Sequence, residues 1–150
     1  MLGHVGAGDH PNDAGERLLY TGDLGYIDPD GYVFIVDRKK DLIKTSGYQV
    51  WPREIEEVIS SHPAVAEVAV AGLPDEVKGE IAKAWIILRP GATISGVEIR
   101  SHCRDRLAPY KVPAEYEIVT ELPKSQVGKV LRRMLRQQEM EKRRPAAQTV

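Results

Sequence analysis

The chain has 150 residues, with 21 Lys and Arg against 22 Asp and Glu for a net charge of −1, and one cysteine. That length gives one domain, or one small domain plus part of another. A lone Cys103 excludes an intramolecular disulfide framework, and no apolar run approaches the roughly 20 residues that span a bilayer.

No basic region followed by an apolar block opens the chain, so a cytoplasmic protein without an integral membrane segment is expected. Residues 1–37 carry seven acids and one base, whereas residues 124–144 carry eight bases and two acids. Such asymmetry fits an anion-binding end or a solvated helix face with a basic tail, and beyond Arg136 the solvated reading is preferred. The basic end lacks the aromatic platforms and groove-reading motifs of nucleic-acid binders, so no nucleic-acid partner is expected.

Met1 to Glu16 is rich in Gly, Asp, Asn and His without periodicity and reads as irregular or disordered. Leu18–Thr21 and Gly25–Ile27 are short strand candidates. Asp28-Pro29-Asp30-Gly31 is a turn, and Tyr32–Val36 returns, so Gly25–Asp37 reads as a β-hairpin. A hairpin this small does not stand alone; it needs another body, or a second copy paired through its exposed edges. A helix begins after Trp51 with Pro52 at its first position, early acids suited to the helix dipole, and Ile55, Val58 and Ile59 as its inner stripe. Val65–Gly72 and Ile81–Leu88 are apolar strands. Ser95 and Glu98 form a capping box before a helix with inner face Ile99, Cys103 and Leu107. Tyr116–Val119 is a short strand. A last helix is expected directly after Lys129, lined by Val130, Leu131, Met134 and Leu135. The order from Lys40 onward is that of an α+β fold, a small sheet covered by helices. The expected division is 1–39, an irregular lead and hairpin, and 40–150, a compact domain with a basic tail.

Several residues carry chemistry. Asp23, at a strand end beside Gly22, can accept from two neighbouring hydroxyls, although such an Asp is more often a turn or cap residue. Arg38 can bind sugar or phosphate oxygens through its planar fork, or pair with Asp37 or Asp41; locally the two readings stand even. Lys44 and Gly47 are placed in a loop reversing into the helix, where glycine admits a ligand to the backbone or simply supplies positive φ, the latter favoured. Lys129, after Gly128 at a loop tip, can neutralise charge developing on phosphate and carboxylate oxygens; its bland alternative is an exposed surface lysine. No P-loop pattern precedes it. His4, His10, His62, His102 and Cys103 lack metal-ligand spacing, so no metal site is expected.

Taken together, Tyr20-Thr21-Gly22-Asp23, the run Asp37 to Gly47, Pro52 to Glu57, His62 to Val65, Leu73-Pro74-Asp75, Pro109 to Pro113 and Pro123 to Lys129 resemble the C-terminal part of adenylate-forming acyl-CoA synthetases. That superfamily includes fatty-acid and coumarate CoA ligases. The resemblance covers about Leu18 to Arg136, and its strength lies in several motifs in one order. It implies that Asp23 and Arg38 hold the ribose of the adenylate and that Lys40 is the hinge on which the small domain swings. It implies that Lys129 closes over the adenylate-forming site, and that Gly47, with Lys44 on the same face, serves the thioester-forming state. The implied chemistry uses ATP and magnesium to convert a carboxylic acid, fatty or aromatic, to its adenylate, from which coenzyme A then displaces AMP.

The residues before the Thr-Gly-Asp motif depart from the family, whose larger N-terminal body supplies the phosphate loop, adenine site, acid pocket and magnesium-binding acid. The expected partner is therefore that body, in cis or in trans, and the chain alone is expected to be inactive. The competing reading is a non-catalytic docking module that keeps the fold.

Overall fold

The computed structural model describes residues 22–144, together with the backbone of three short strands before them. The elements are β1 (Gly3–His4), β2 (His10–Pro11), β3 (Arg17–Leu18), β4 (Asp23–Ile27), β5 (Val33–Arg38), β6 (Ile43–Thr45), β7 (Tyr48–Val50), α1 (Pro52–Ser60), β8 (Val65–Asp75), β9 (Gly79–Leu88), α2 (Gly96–Arg104), β10 (Glu115–Ile118) and α3 (Arg132–Arg143). Single 3-10 turns occupy Lys39–Asp41 and Pro109–Lys111. The fold is mixed α+β. The chain separates into two compact units, Met1–Leu42 and Ile43–Val150.

In the first unit β4 and β5 form the expected antiparallel hairpin, and β1 adds to the other edge of β4. The turn is set by Asp28, whose Oδ1 accepts from the backbone N–H groups of Asp30 at 3.0 Å and Tyr32 at 2.9 Å. This is the local bonding that makes Asp a turn residue. From within Met1–Glu16, the stretch expected to be irregular, β2 pairs with β3 just beyond it over two residues. Tyr20 and Thr21 of the Thr-Gly-Asp motif, most of residues 1–16, and residues 145–150 of the tail lie outside the described residues.

The second unit is built on the antiparallel pair β8–β9, with β10 parallel to β9 and the β6–β7 hairpin joined to β9 at Thr45 and Gly79. Both strands read as nearly continuous apolar runs because both faces of the sheet are covered. On one face Val70, Ala82, Ala84 and Ile86 meet Ile55 and Ile59 of α1 and Ile99 and Cys103 of α2. On the other, Ala69, Ala71, Leu73 and Trp85 meet Leu135 of α3 and Leu122. The period-2 alternation of side chains divides each strand between the two cores. Pro52 opens α1 as expected, and the Ser95–Glu98 capping box opens α2, with both reciprocal bonds made.

Two expectations change. Of the two residues expected in a loop reversing into the helix, Lys44 lies on strand β6, while Gly47 lies in the turn of the hairpin β6–β7 with the positive φ expected of it. And α3 does not follow Lys129 directly. Val130 instead pairs with Lys124 in an antiparallel bridge, and Leu131 donates its N–H to the Pro123 carbonyl at 2.8 Å. These backbone groups are committed to a ladder, so helix begins only at Arg132. Met134 is half exposed, and the inner stripe is Leu135 and Glu139.

Candidate functional site

Asp23 and Arg38 are direct cross-strand partners in β4–β5. Arg38 Nε lies 3.2 Å from Asp23 Oδ1, so Arg38 pairs with Asp23 across the hairpin. Asp37 accepts the backbone N–H of Arg38 at 2.8 Å. The register is carried one step further by Lys39, whose N–H donates to the Gly22 carbonyl at 3.0 Å. The pair thus presents a carboxylate acceptor beside a guanidinium donor at the end of a hairpin. A vicinal diol, with two O–H donors and two acceptor oxygens, matches that combination. Lys40 follows, exposed, in the 3-10 turn Lys39–Asp41.

In the second unit the hairpin β6–β7 turns on two residues, Ser46 with φ +49° and Gly47 with φ +82°. Positive φ at both central residues is the geometry whose twist matches a hairpin. A Cβ at Gly47 would meet nothing within 4 Å, so the surface over its backbone is open. Lys44 projects from β6 with its side chain exposed, while its N–H donates to Glu80 Oε2 at 2.9 Å. Tyr48, the residue after Gly47, stacks on Tyr110 with ring centroids 4.2 Å apart. Lys111 beside it is held by Glu54 at 2.6 Å. The hydrogen bond that Lys111 donates to the Glu54 carboxylate raises its pKa, against a smaller opposing effect of burial. Tyr110 and Lys111 lie in the Pro109–Pro113 motif, but their contact with the Gly47 hairpin joins residues 62 positions apart and is not readable from that motif.

Lys129 sits in a turn closed by its own backbone. Its N–H donates to Ser125 Oγ at 3.2 Å, its carbonyl accepts from the Ser125 N–H at 2.8 Å, and Gly128 adopts φ +81°. The ammonium group makes no ion pair or hydrogen bond among the described residues, and the residue is exposed. The flanks of this turn, by contrast, are pinned. Lys124 Nζ lies 2.7 Å from Glu67 Oε2 on β8. Arg132 binds Glu56 of α1 through two nitrogens, with its Nη2 2.8 Å from Oε2, and Glu56 Oε1 also accepts the N–H of Val70 at 2.9 Å. A free cation on a backbone-closed tip with fixed flanks can be delivered to an anion without collapsing onto the domain's own acids.

Glu56 serves both a guanidinium and an edge amide, so its loss breaks the pair with Arg132 and removes the acceptor of the Val70 N–H. Glu56→Ala is expected to cost about 2 kcal/mol in urea unfolding. Hydrogen exchange should place the loosening at Val70 and the start of α3.

Among the described residues no group of three or more His, Cys, Asp and Glu side chains could hold a metal ion, and no helix is long and apolar enough to cross a membrane.

The chain is similar to known proteins. The chain is 50% identical over 123 residues to a long-chain-fatty-acid–CoA ligase of Bacillus subtilis, covering 82% of this chain and 22% of that protein. It is 48% identical over 133 residues to 4-coumarate–CoA ligase-like 9 of Oryza sativa, covering 89% and 24%. Among solved structures it superposes on ATP-bound MatB from Rhodopseudomonas palustris with a TM-score of 0.79 at 39% identity, covering 85% of this chain and 25% of that one. The corresponding values for a Mycobacterium tuberculosis fatty acyl CoA synthetase are 0.73 and 42%, with 88% and 26% covered. The chain therefore spans about a quarter of the length of these relatives. Residues 54–129 match the AMP-binding enzyme C-terminal domain, and the chain belongs to that family.

Proposed function

We propose that this chain is the mobile C-terminal domain of a cytoplasmic acid–CoA ligase, working with an N-terminal adenylation body in cis or in trans. In the first half-reaction a carboxylate oxygen of the acid attacks the α-phosphorus of ATP, forming the acyl-adenylate and releasing pyrophosphate. In the second, the thiol of coenzyme A attacks the acyl carbon and AMP leaves. The acid is a fatty or aromatic one, the classes named for the relatives in Bacillus subtilis and Oryza sativa.

The observation that carries this reading is Lys129, an exposed, unpaired cation on a turn pinned at both flanks. In the first half-reaction its ammonium lies against the carboxylate and α-phosphate oxygens, where negative charge crowds as they approach. Asp23 accepts hydrogen bonds from the ribose hydroxyls and Arg38 donates to their oxygens. Lys40 is the hinge, and domains 1–39 and 40–150 are the functional division. For the second half-reaction the open backbone at Gly47 lines the path of the thiol arm. Lys44 supplies a cation on the same hairpin, and the exposed Tyr48–Tyr110 stack offers an aromatic wall beside it. Magnesium, which would offset phosphate charge when bound, belongs to the N-terminal body in this reading. The exposed apolar side chains of β4 and β5, among them Ile27, Val33 and Ile35, pack on that body, or on a second copy in its absence.

The test is AMP release from ATP, magnesium, coenzyme A and a panel of carboxylic acids. The chain alone is expected to be silent, because two ribose ligands and one lysine do not exclude water from a reacting phosphate. Adding a separately expressed ligase body that lacks its own C-terminal domain is expected to restore turnover. Turnover by the chain alone would refute the claim of dependence, and silence with its own covalently linked body would refute the ligase reading.

A further inference from the structure

The two elements assigned above to the two half-reactions, the Gly47 hairpin and the turn–helix segment that carries Lys129, are separate in sequence. One side chain touches both. Glu80 of β9 accepts the N–H of Lys44 on Oε2 at 2.9 Å, and its Oε1 lies 3.0 Å from Arg136 Nη1, one helical turn into α3. Its side chain is 20% exposed against 44% for Arg136, so the carboxylate is the more enclosed partner.

Room for that carboxylate is made by Gly72 on β8. A Cβ there would stand 3.3 Å from both the carboxyl carbon and Oε2 of Glu80 and 3.2 Å from Ile43 Cγ1. The crowding is tighter than ordinary van der Waals contact, and a Cβ at 72 would require the carboxylate and Ile43 to give by a few tenths of an ångström. The glycine is not there for its backbone conformation, since its φ is not positive.

We infer that Glu80 is a positioning residue that couples the Gly47 hairpin to the helix following Lys129. The inference rests on the two-step reading above for its functional meaning, though not for its structural one. A carboxylate is rigid and planar. Its two oxygens cannot be reoriented independently, so relaxing the bond to Arg136 rotates the group that holds Lys44. Both bonds are charge-assisted and stronger than neutral ones. A domain that presents different elements to one active site in two successive steps gains from having them fixed relative to one another, since small misplacements of reacting groups are costly in rate.

The structural half is tested on the 150-residue chain by amide hydrogen exchange, read residue by residue by NMR. Arg136→Met removes the charge on the α3 side and leaves β6 untouched. It is expected to speed exchange at the Lys44 amide roughly threefold, with the Ile86 amide at the centre of the sheet unchanged. Glu80→Gln is expected to speed Lys44 about tenfold, because a neutral acceptor replaces a charged one. An unchanged Lys44 amide in Arg136→Met would overturn the coupling. Equal acceleration at Ile86 would do the same, reducing Glu80 to a general stabiliser.

In the reconstituted ligase, Glu80→Gln is expected to slow both pyrophosphate release and transfer of the acyl group from preformed adenylate to coenzyme A. Lys129→Ala slows only the first. A Glu80→Gln effect on a single step would also overturn the coupling. A mixture silent for every variant, wild type included, would count against the ligase reading, and the exchange result would still decide the role of Glu80.

Discussion

Lys129→Ala is expected to lower acyl-adenylate formation about 10²–10³-fold, the usual loss when a preorganised group facing developing charge is removed. The fold should hardly notice. Every bond that shapes the turn runs through the backbone of Lys129 or through Ser125 and Gly128, and the flanks are held by Lys124 and Arg132 rather than by Lys129. The urea midpoint should therefore stay within the range typical of surface substitutions. Thioester formation from preformed acyl-adenylate should proceed at the wild-type rate, since the lysine is assigned to the first step alone. Lys129→Arg should recover part of the loss, because it restores the charge but not the compact ammonium geometry. The three measurements are pyrophosphate release, acyl transfer and urea unfolding. Adenylation within threefold of wild type in Lys129→Ala would show that the lysine is a solvated surface group. A large drop in the urea midpoint would show that the turn, not the charge, had been lost.

What the sequence disclosed depended on how local the determining interaction is. Pro52 and the Ser95–Glu98 box fix the starts of α1 and α2 within one helical turn, and both are readable as they stand. The paired runs of β8 and β9 are legible from apolar content alone. The β6–β7 hairpin was also signalled locally, by Ser46-Gly47 between Ile43–Thr45 and Tyr48–Val50, but the dense charge of Arg38 to Lys44 obscured three-residue strands. The start of α3 was not locally determined. Val130 and Leu131 fit a helical stripe, and only their pairing with Lys124 and Pro123 removes them from it. For the site, ordered motifs singled out Asp23, Arg38, Lys44, Gly47 and Lys129. The Asp23–Arg38 pair needed the strand register, and Glu56, Glu80 and Tyr110 needed tertiary neighbours at separations no periodicity reveals.

The largest effect on stability is expected at Lys83, which no motif marks. It projects from β9 to the α3 side of the sheet, 7% exposed, and stands over the ring of Trp85. Its ammonium lies 2.7 Å from Glu117 Oε2 on β10 and 2.8 Å from Glu139 Oε2 on α3. Arg143 and Lys142 complete the cluster against Glu139, Glu115 and Glu117. Burial works against the charge on Lys83, yet the two carboxylates outweigh it and its pKa is raised. Burial likewise opposes ionisation of Glu139, but Lys83 and Arg143 hold its pKa low, and Lys83 does the same for Glu117. Lys83→Met leaves Glu139 buried beside one fewer cation and should cost about 3–5 kcal/mol, the range for breaking a buried pair from one side. The double variant Lys83→Met/Glu139→Leu should regain more than half of that, because no buried charge is then stranded at position 139. The pH dependence has two limbs. Carboxyls with lowered pKa stabilise the fold above their ordinary value of 4.5, and that stability is lost as pH falls through the folded values. A lysine with a raised pKa stabilises below its ordinary value of 10.5 and loses that contribution as pH rises through the folded one. Wild-type urea midpoints should thus be flat across neutrality and fall at both extremes, and the double variant should show a shallower acid limb. If the single and double variants are equally unstable, the cost lies in packing against Trp85, and the ion cluster is not what fastens α3 to the sheet.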